Sequence, residues 1–266
     1  MTSLTCFKAY DIRGRLGIDL DEGIAYRIGS AFAVALNAKT VVLGRDVRAS
    51  SEALANCVAQ GLIDQGCEVL DLGLSGTEEM YLATNHFGSD GGICVTASHN
   101  PIDYNGMKMV RAGSAPLDAA SGLARIKELA EANAFEKRAT IGKIRDVAEE
   151  ARKAYVERIC QFVDISALKP LKILVNAGHG TAGPTFDAIA ERLAELGAPL
   201  QFERIFTSQT AHSRKAFQTR SYQKTDLRPQ TPFALQALTS VWHGTVILTA
   251  ASSLITREPS STANMS

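Results

Sequence analysis

The chain has 266 residues, 45% of them hydrophobic, with 28 basic and 28 acidic side chains. That length allows one to two domains with a buried core. The balanced charge argues against a nucleic-acid or membrane-surface partner. Five scattered cysteines, Cys6, Cys57, Cys67, Cys94 and Cys160, contain no Cys-x-x-Cys pair and suggest neither zinc nor a disulfide framework.

In chain order, the N-terminal "MTSLTCFKAYDIRG" carries no apolar leader, and no run of 18 apolar residues follows anywhere, so a cytoplasmic chain is expected. "DEGIAYRIGSAFAVAL" sets Ile24, Ile28, Phe32 and Leu36 on one helical face. "TVVLG" reads as a buried strand. "SSEALANCVAQGLIDQG" reads as a helix opened by capping serines and closed by Gly66. "CEVLDLG" predicts a strand and "TEEMYLATNHF" a helix. "GGICVT" and "GMKMV" predict two strands around a loop that contains Ser98. "LDAASGLARIKELAEANA" and "VAEEARKAYVERICQFV" are amphipathic helices. "LKILVNAG", "AGPTFDAIAERLAELG" and "PLQFERI" give strand, helix and strand. This alternation predicts an α/β layered architecture. The charged stretch "KRATIGKIRDVAEE" marks a boundary, which we place between residues 1–140 and 141–206.

From Thr207 the composition changes. One glycine remains, Gly244, acidic residues shrink to Asp226 and Glu258, and periodicity mostly disappears. Residues 207–266 are therefore expected to be a disordered basic tail.

The loop "TASHNP" carries the chemistry. A serine becomes a useful nucleophile when a base, a cation and fixed backbone amides surround it. Ser98 has His99 and Asn100 beside it and Lys108 ten residues on, while Gly91, Gly92 and Gly106 allow close backbone approach. Pro101 stiffens the loop exit. On the residues alone, an ordinary hydrogen-bonded turn accounts for the same pattern.

The motifs add a resemblance. "TASHNP" (Thr96–Pro101) resembles the phosphoserine loop of the α-D-phosphohexomutases. "KAYDIRG" (Lys8–Gly14) resembles the N-terminal signature of their phosphomannomutase/phosphoglucomutase branch. "GRDVRASS" (Gly44–Ser51), "YNGMK" (Tyr104–Lys108) and "NAGHGTAG" (Asn176–Gly183) fit in order and spacing. The resemblance covers about residues 4–206. It implies an α/β/α first domain and the start of a second similar one. It also implies that Ser98 carries a phosphoryl group, with His99 and Lys108 for proton transfer or charge neutralisation. Arg13 and Tyr10 then face the same site, with Tyr10 and Asn100 toward the substrate. Arg45, Asp46 and Arg48 hold loops. Each residue also has a plainer reading: Arg13 paired with Asp11 or Asp46, Lys108 a solvated strand lysine, Tyr10 a core aromatic.

The implied reaction interconverts mannose 6-phosphate and mannose 1-phosphate through a bisphosphorylated sugar, with hexose 1,6-bisphosphate as activator. Mg²⁺ would sit at the phosphate on Ser98. The family's metal string, Asp-Gly-Asp-x-Asp-Arg, is absent from the sequence, as are its sugar-selecting and distal phosphate loops. Yet codons for Trp242–Ala251, regrouped by one base, can read Ala-Trp-Asp-Gly-Asp-Phe-Asp-Arg-Cys. The sequence thus reads as a frameshift near Phe206–Thr207, in a truncated and inactive chain. Rival readings are phosphoglucomutase specificity, a non-catalytic phosphosugar-binding or interaction module, and a serine hydrolase. The last lacks a Gly-x-Ser-x-Gly elbow.

Overall fold

Alternating burial along the strands decides the layering. The computed structural model describes residues 3–136, 138–178, 180–205, 241–242 and 245–246. Val41, Leu43, Val69, Ile93, Val95, Met107 and Met109 face one core, while Val42, Leu70, Leu72, Cys94 and Val110 face another. Successive side chains of a strand point to opposite faces, so one sheet supports both cores.

That sheet has seven strands. Its main path runs β1 (Ile12–Arg15), β5 (Tyr104–Arg111), β4 (Gly91–Val95), β2 (Thr40–Arg45), β3 (Glu68–Leu74) and β7 (Lys143–Asp146), with β6 (Ala115–Pro116) paired to β5. Strands β4, β2, β3 and β7 are mutually parallel, while β5 is antiparallel to both β4 and β1. Helices α1 (Glu22–Leu36), α2 (Ser51–Asp64) and α4 (Ala124–Ala132) supply the first core. Helices α3 (Thr77–His86) and α5 (Ala148–Cys160) supply the second. The result is a layered α/β architecture, as the alternation predicts, in the α/β/α form that the resemblance implies.

Local chemistry explains the elements. Asp21 caps α1 by accepting from the Ile24 amide at 2.7 Å, and Asn37 ends it in a left-handed conformation. Helices α1 and α2 touch backbone to backbone. A Cβ on Gly29 would fall 2.3 Å from the Val58 carbonyl oxygen, and one on Gly61 would fall 2.2 Å from that of Tyr26.

Two expectations, on Ser50 and on the helix over 117–134, are corrected. Ser50 stands at the N-cap of α2, but its hydroxyl makes no capping bond; it accepts from Asn105 Nδ2 at 2.8 Å instead. The helix expected over 117–134 is broken, because Gly122 at φ 139 separates a wide turn at Ala119–Leu123 from α4. Strand β7 lies in the stretch read as a boundary, and it pairs with β3 in the first sheet.

Beyond α5, strands β8 (Leu171–Asn176) and β9 (Leu200–Ile205) form a parallel pair linked by α6 (Ala182–Glu195). Buried Glu79 ties this unit to the first sheet. Its carboxylate accepts from the Gly76 amide at 2.8 Å, Arg152 Nε at 3.0 Å and Thr185 Oγ1 at 3.0 Å. The expected disordered tail, 207–266, lies outside the described residues except for a short antiparallel pair, β10 (Val241–Trp242) and β11 (Thr245–Val246). Among the described residues no helix is long and apolar enough to cross a membrane.

Candidate active site

Parallel strands deliver their following loops to one end of a sheet, which is where ligands gather in such folds. Here the loops after β2 and β4 arrive together, and β5 begins at the same end. The register then sorts the side chains. Arg13 pairs with Gly106 across β1 and β5, and the Thr96 amide donates to the Gly106 carbonyl at 2.9 Å. Thr96, Gly106 and Arg13 therefore form one row across three strands, on the face that carries Cys94 and Val110. Lys108, two residues beyond Gly106, shares that face. Helix α3 covers this face over β2 and β4, and α5 covers it over β3. Arg13 and Lys108 project from the same face of β1 and β5, at the edge of the sheet away from β3.

Gly106 is required in this row. A Cβ there would stand 2.1 Å from the Ile12 carbonyl oxygen. Nothing larger than hydrogen fits between β5 and β1 at this point.

Ser98 follows the row in the loop between β4 and β5. It is half-buried and has φ 53, a left-handed conformation uncommon for a residue with a Cβ. Both of its peptide groups are held. Its amide donates to Thr96 Oγ1 at 2.9 Å, and Thr96 Oγ1 donates to Asp46 Oδ2 at 2.7 Å. Its carbonyl accepts from Arg48 Nη2 at 2.9 Å. The same guanidinium donates to the carbonyls of Asn100, Pro101 and Tyr104 at 2.6, 2.8 and 3.0 Å. A planar fork of five N–H donors suits this task. Burial lowers the pKa of Arg48; Asp46 opposes the shift and the positive charge of Arg13 adds to it.

Ser98 Oγ lies 3.3 Å from His99 Nδ1. Asn100 turns its side chain inward, and Nδ2 donates to the Ala97 carbonyl at 2.8 Å. Its expected part in substrate contact thus competes with a bond inside the loop. Tyr10 is 71% exposed and is not a core aromatic. Arg13 Nη2 meets Asp11 Oδ2 at 2.9 Å, and Lys108 Nζ meets the same oxygen at 3.2 Å. The structure thus selects Asp11 over Asp46 as the partner of Arg13. The sequence assigns Arg48 a loop-holding role and offers Asp11 only as an alternative partner for Arg13.

The fit to Mg²⁺ is poor. This ion takes several hard oxygen ligands in near-octahedral geometry. Among the described residues no three His, Cys, Asp or Glu side chains group as a metal site. Asp46 is engaged by Ser51 Oγ at 2.5 Å as well as by Thr96, and Asp11 by Arg13 and Lys108.

Residues 5–137 match the family described as phosphoglucomutase/phosphomannomutase, alpha/beta/alpha domain I. A phosphomannomutase of Salmonella typhimurium is 55% identical over 207 residues, which is 77% of this chain and 45% of that protein. One from Escherichia coli is 51% identical over 205 residues, with the same two shares. A crystal structure of a phosphoglucomutase/phosphomannomutase family protein from Burkholderia thailandensis superposes with a TM-score of 0.65 at 32% identity. It covers 79% of this chain and 46% of that one. The chain thus spans a little under half the length of the relatives it matches.

Proposed function

Since the chain belongs to the phosphoglucomutase/phosphomannomutase family, we propose that Ser98 is its phosphoryl-carrying residue, in a phosphomannomutase-type phosphohexomutase. The observation that carries this reading is the left-handed backbone of Ser98, held on both sides by Arg48 and by Thr96 with Asp46. Strained, over-determined backbone at a polar residue is a signature of a working site.

In this reading the bond between Ser98 Oγ and phosphorus breaks as a hexose hydroxyl oxygen bonds to phosphorus. The hydroxyl proton passes to a base, a role given to His99, 3.3 Å from Ser98 Oγ, and from there to the departing serine oxygen, which leaves as a hydroxyl. Arg13 and Lys108 take up the charge on the phosphoryl oxygens. The bisphosphorylated sugar then turns, and its other phosphate returns to Ser98 by the reverse exchange. Tyr10 lies exposed near the head of β1 and is assigned to the sugar. The substrate class is a hexose phosphate, with mannose 6-phosphate first and the glucose phosphates as alternatives. The described residues do not group as a Mg²⁺ site, so no step is routed through it.

The division into a first domain, 1–140, and a partial second one, 141–206, belongs to the same proposal, as does the frameshift. Coding DNA that forbids Ala-Trp-Asp-Gly-Asp-Phe-Asp-Arg-Cys in the neighbouring frame of Trp242–Ala251 would refute the frameshift.

The decisive experiment is phosphoryl uptake. The purified chain is incubated with hexose 1,6-bisphosphate and analysed by peptide mass spectrometry. One phosphoryl group on Ser98, and none in Ser98→Ala, is the expected result. Turnover of mannose 1-phosphate by this chain should be negligible, since the family's aspartate string is missing from the sequence. The absent string also favours a second reading, a phosphosugar-binding module. Binding of hexose phosphate without any uptake on Ser98 would establish that one instead.

A further inference from the structure

Arg13 and Lys108 meet on a third residue. Both side chains contact the same oxygen, Oδ2 of Asp11, at 2.9 and 3.2 Å. Their nitrogens therefore stand no more than about 6 Å apart, a distance at which two bare cations in a partly buried site repel appreciably. The carboxylate between them removes that repulsion. Asp11 is itself buried, and its carbonyl accepts from the Lys8 amide at 2.8 Å, so its backbone is fixed at the head of β1. The Arg13 and Lys108 side chains keep 29% and 25% of their surface exposed. Lysine carries three N–H donors. The pair thus keeps donors in reserve while bonded to Asp11, and a phosphate could take them without displacing the carboxylate.

We propose that Asp11 is a positioning residue, whose carboxylate sets Arg13 and Lys108 side by side as a two-pronged receptor for a phosphoryl group at Ser98. This rests on the reading of Ser98 given above and deepens it. The rival is a bystander anion that competes with phosphate for the same two cations. The two ideas differ in sign. Removing a competitor tightens anion binding, whereas removing a spacer weakens it even though a negative charge is lost.

The test uses the full chain and inorganic phosphate as the probe, titrated by calorimetry at fixed ionic strength. Asp11→Asn and Asp11→Glu are compared with wild type, and Glu150→Gln serves as a remote control for net charge. Side-chain nitrogen resonances of Arg13 and Lys108 are recorded in parallel. Loss of an outer partner that orients ligating groups commonly weakens binding tenfold or more. Asp11→Asn should therefore bind phosphate about tenfold more weakly, Asp11→Glu should fall between it and wild type, and Glu150→Gln should bind at least as well as wild type. Unchanged or tighter binding by Asp11→Asn overturns the proposal. If Asp11→Asn does not fold, Asp11→Glu decides: binding weaker than wild type supports the proposal, and equal or tighter binding overturns it. If the wild-type chain binds no phosphate, the Ser98 reading fails by itself. The resonances then decide the positioning claim, which survives if Arg13 and Lys108 are ordered in wild type and averaged in Asp11→Asn, and falls otherwise.

Discussion

The guanidinium of Arg48 donates to the carbonyl oxygen of Ser98 at 2.9 Å, and so holds the backbone of a residue fifty positions further along the chain. Arg48 is buried and carries three more carbonyl bonds in the same loop. It acts as a template for the serine.

Arg48→Lys should break that template. An ammonium is a point donor and cannot span four carbonyls arranged around a plane. Part-buried carbonyls left without donors cost at most about 1–3 kcal/mol each, offset in part by relaxation and by water. We expect a loss of about 2–4 kcal/mol in urea denaturation, together with loss of phosphoryl uptake at Ser98. A variant that keeps both stability and uptake would remove Arg48 from this role.

Ser98→Gly and Ser98→Ala should separate backbone strain from side-chain chemistry. Both lose the hydroxyl, but at φ 53 only glycine adopts the conformation without a Cβ conflict. Glycine should be the more stable of the two by about 0.5–1 kcal/mol. Equal stabilities would mean that the loop relaxes to an ordinary conformation once the hydroxyl is gone.

Gly106→Ala should force β1 away from β5, since the new methyl would stand 2.1 Å from the Ile12 carbonyl oxygen. Overpacking of this kind costs about 1–3 kcal/mol. Amide exchange should accelerate along Ile12–Arg15 while β2 and β3 keep their protection. Uniform protection in the variant would contradict the close approach of the two strands.

Alkaline pH should destabilise the chain through its buried thiols. Burial pushes Cys6 and Cys67 from 9.0 up to about 11, and Cys94 also upward. Cys67 Sγ also donates to the Ala38 carbonyl at 3.1 Å, a bond that needs the proton. The unfolded chain releases these protons first as pH rises, so their contribution is intact below 9.0 and is lost toward about 11. Urea midpoints should fall across this window, and Cys67→Ala should flatten the slope. An unchanged slope in that variant would remove Cys67 as a cause.

The sequence exposed the layered fold wherever burial wrote a period. Ile24, Ile28 and Phe32 recur at helical spacing, and all three are buried. It hid β1 and β7, because Ile12–Arg15 buries few apolar side chains and Lys143–Asp146 is exposed throughout. Their pairing comes from neighbouring strands, which local pattern does not record. Ser98, His99, Lys108 and Arg13 are singled out by motif and charge, and their roles belong to the proposal above. The bridge from Asp11 to Lys108 was not, because strand register alone brings the two together. Ser50 misled for a related reason: its hydroxyl is engaged by Asn105, from a distant strand, and not by its own helix.

The left-handed backbone at position 98 also limits which hydroxyl amino acid can stand there. Threonine matches serine as an alcohol, but its branched Cβ makes φ near 53 an outlier conformation. Tyrosine would carry its hydroxyl a full ring farther from the row that contains Arg13. A primary alcohol on an unbranched carbon is what remains. The choice of serine is thus made by the peptide geometry that Arg48 and Thr96 impose, before any question of reactivity arises.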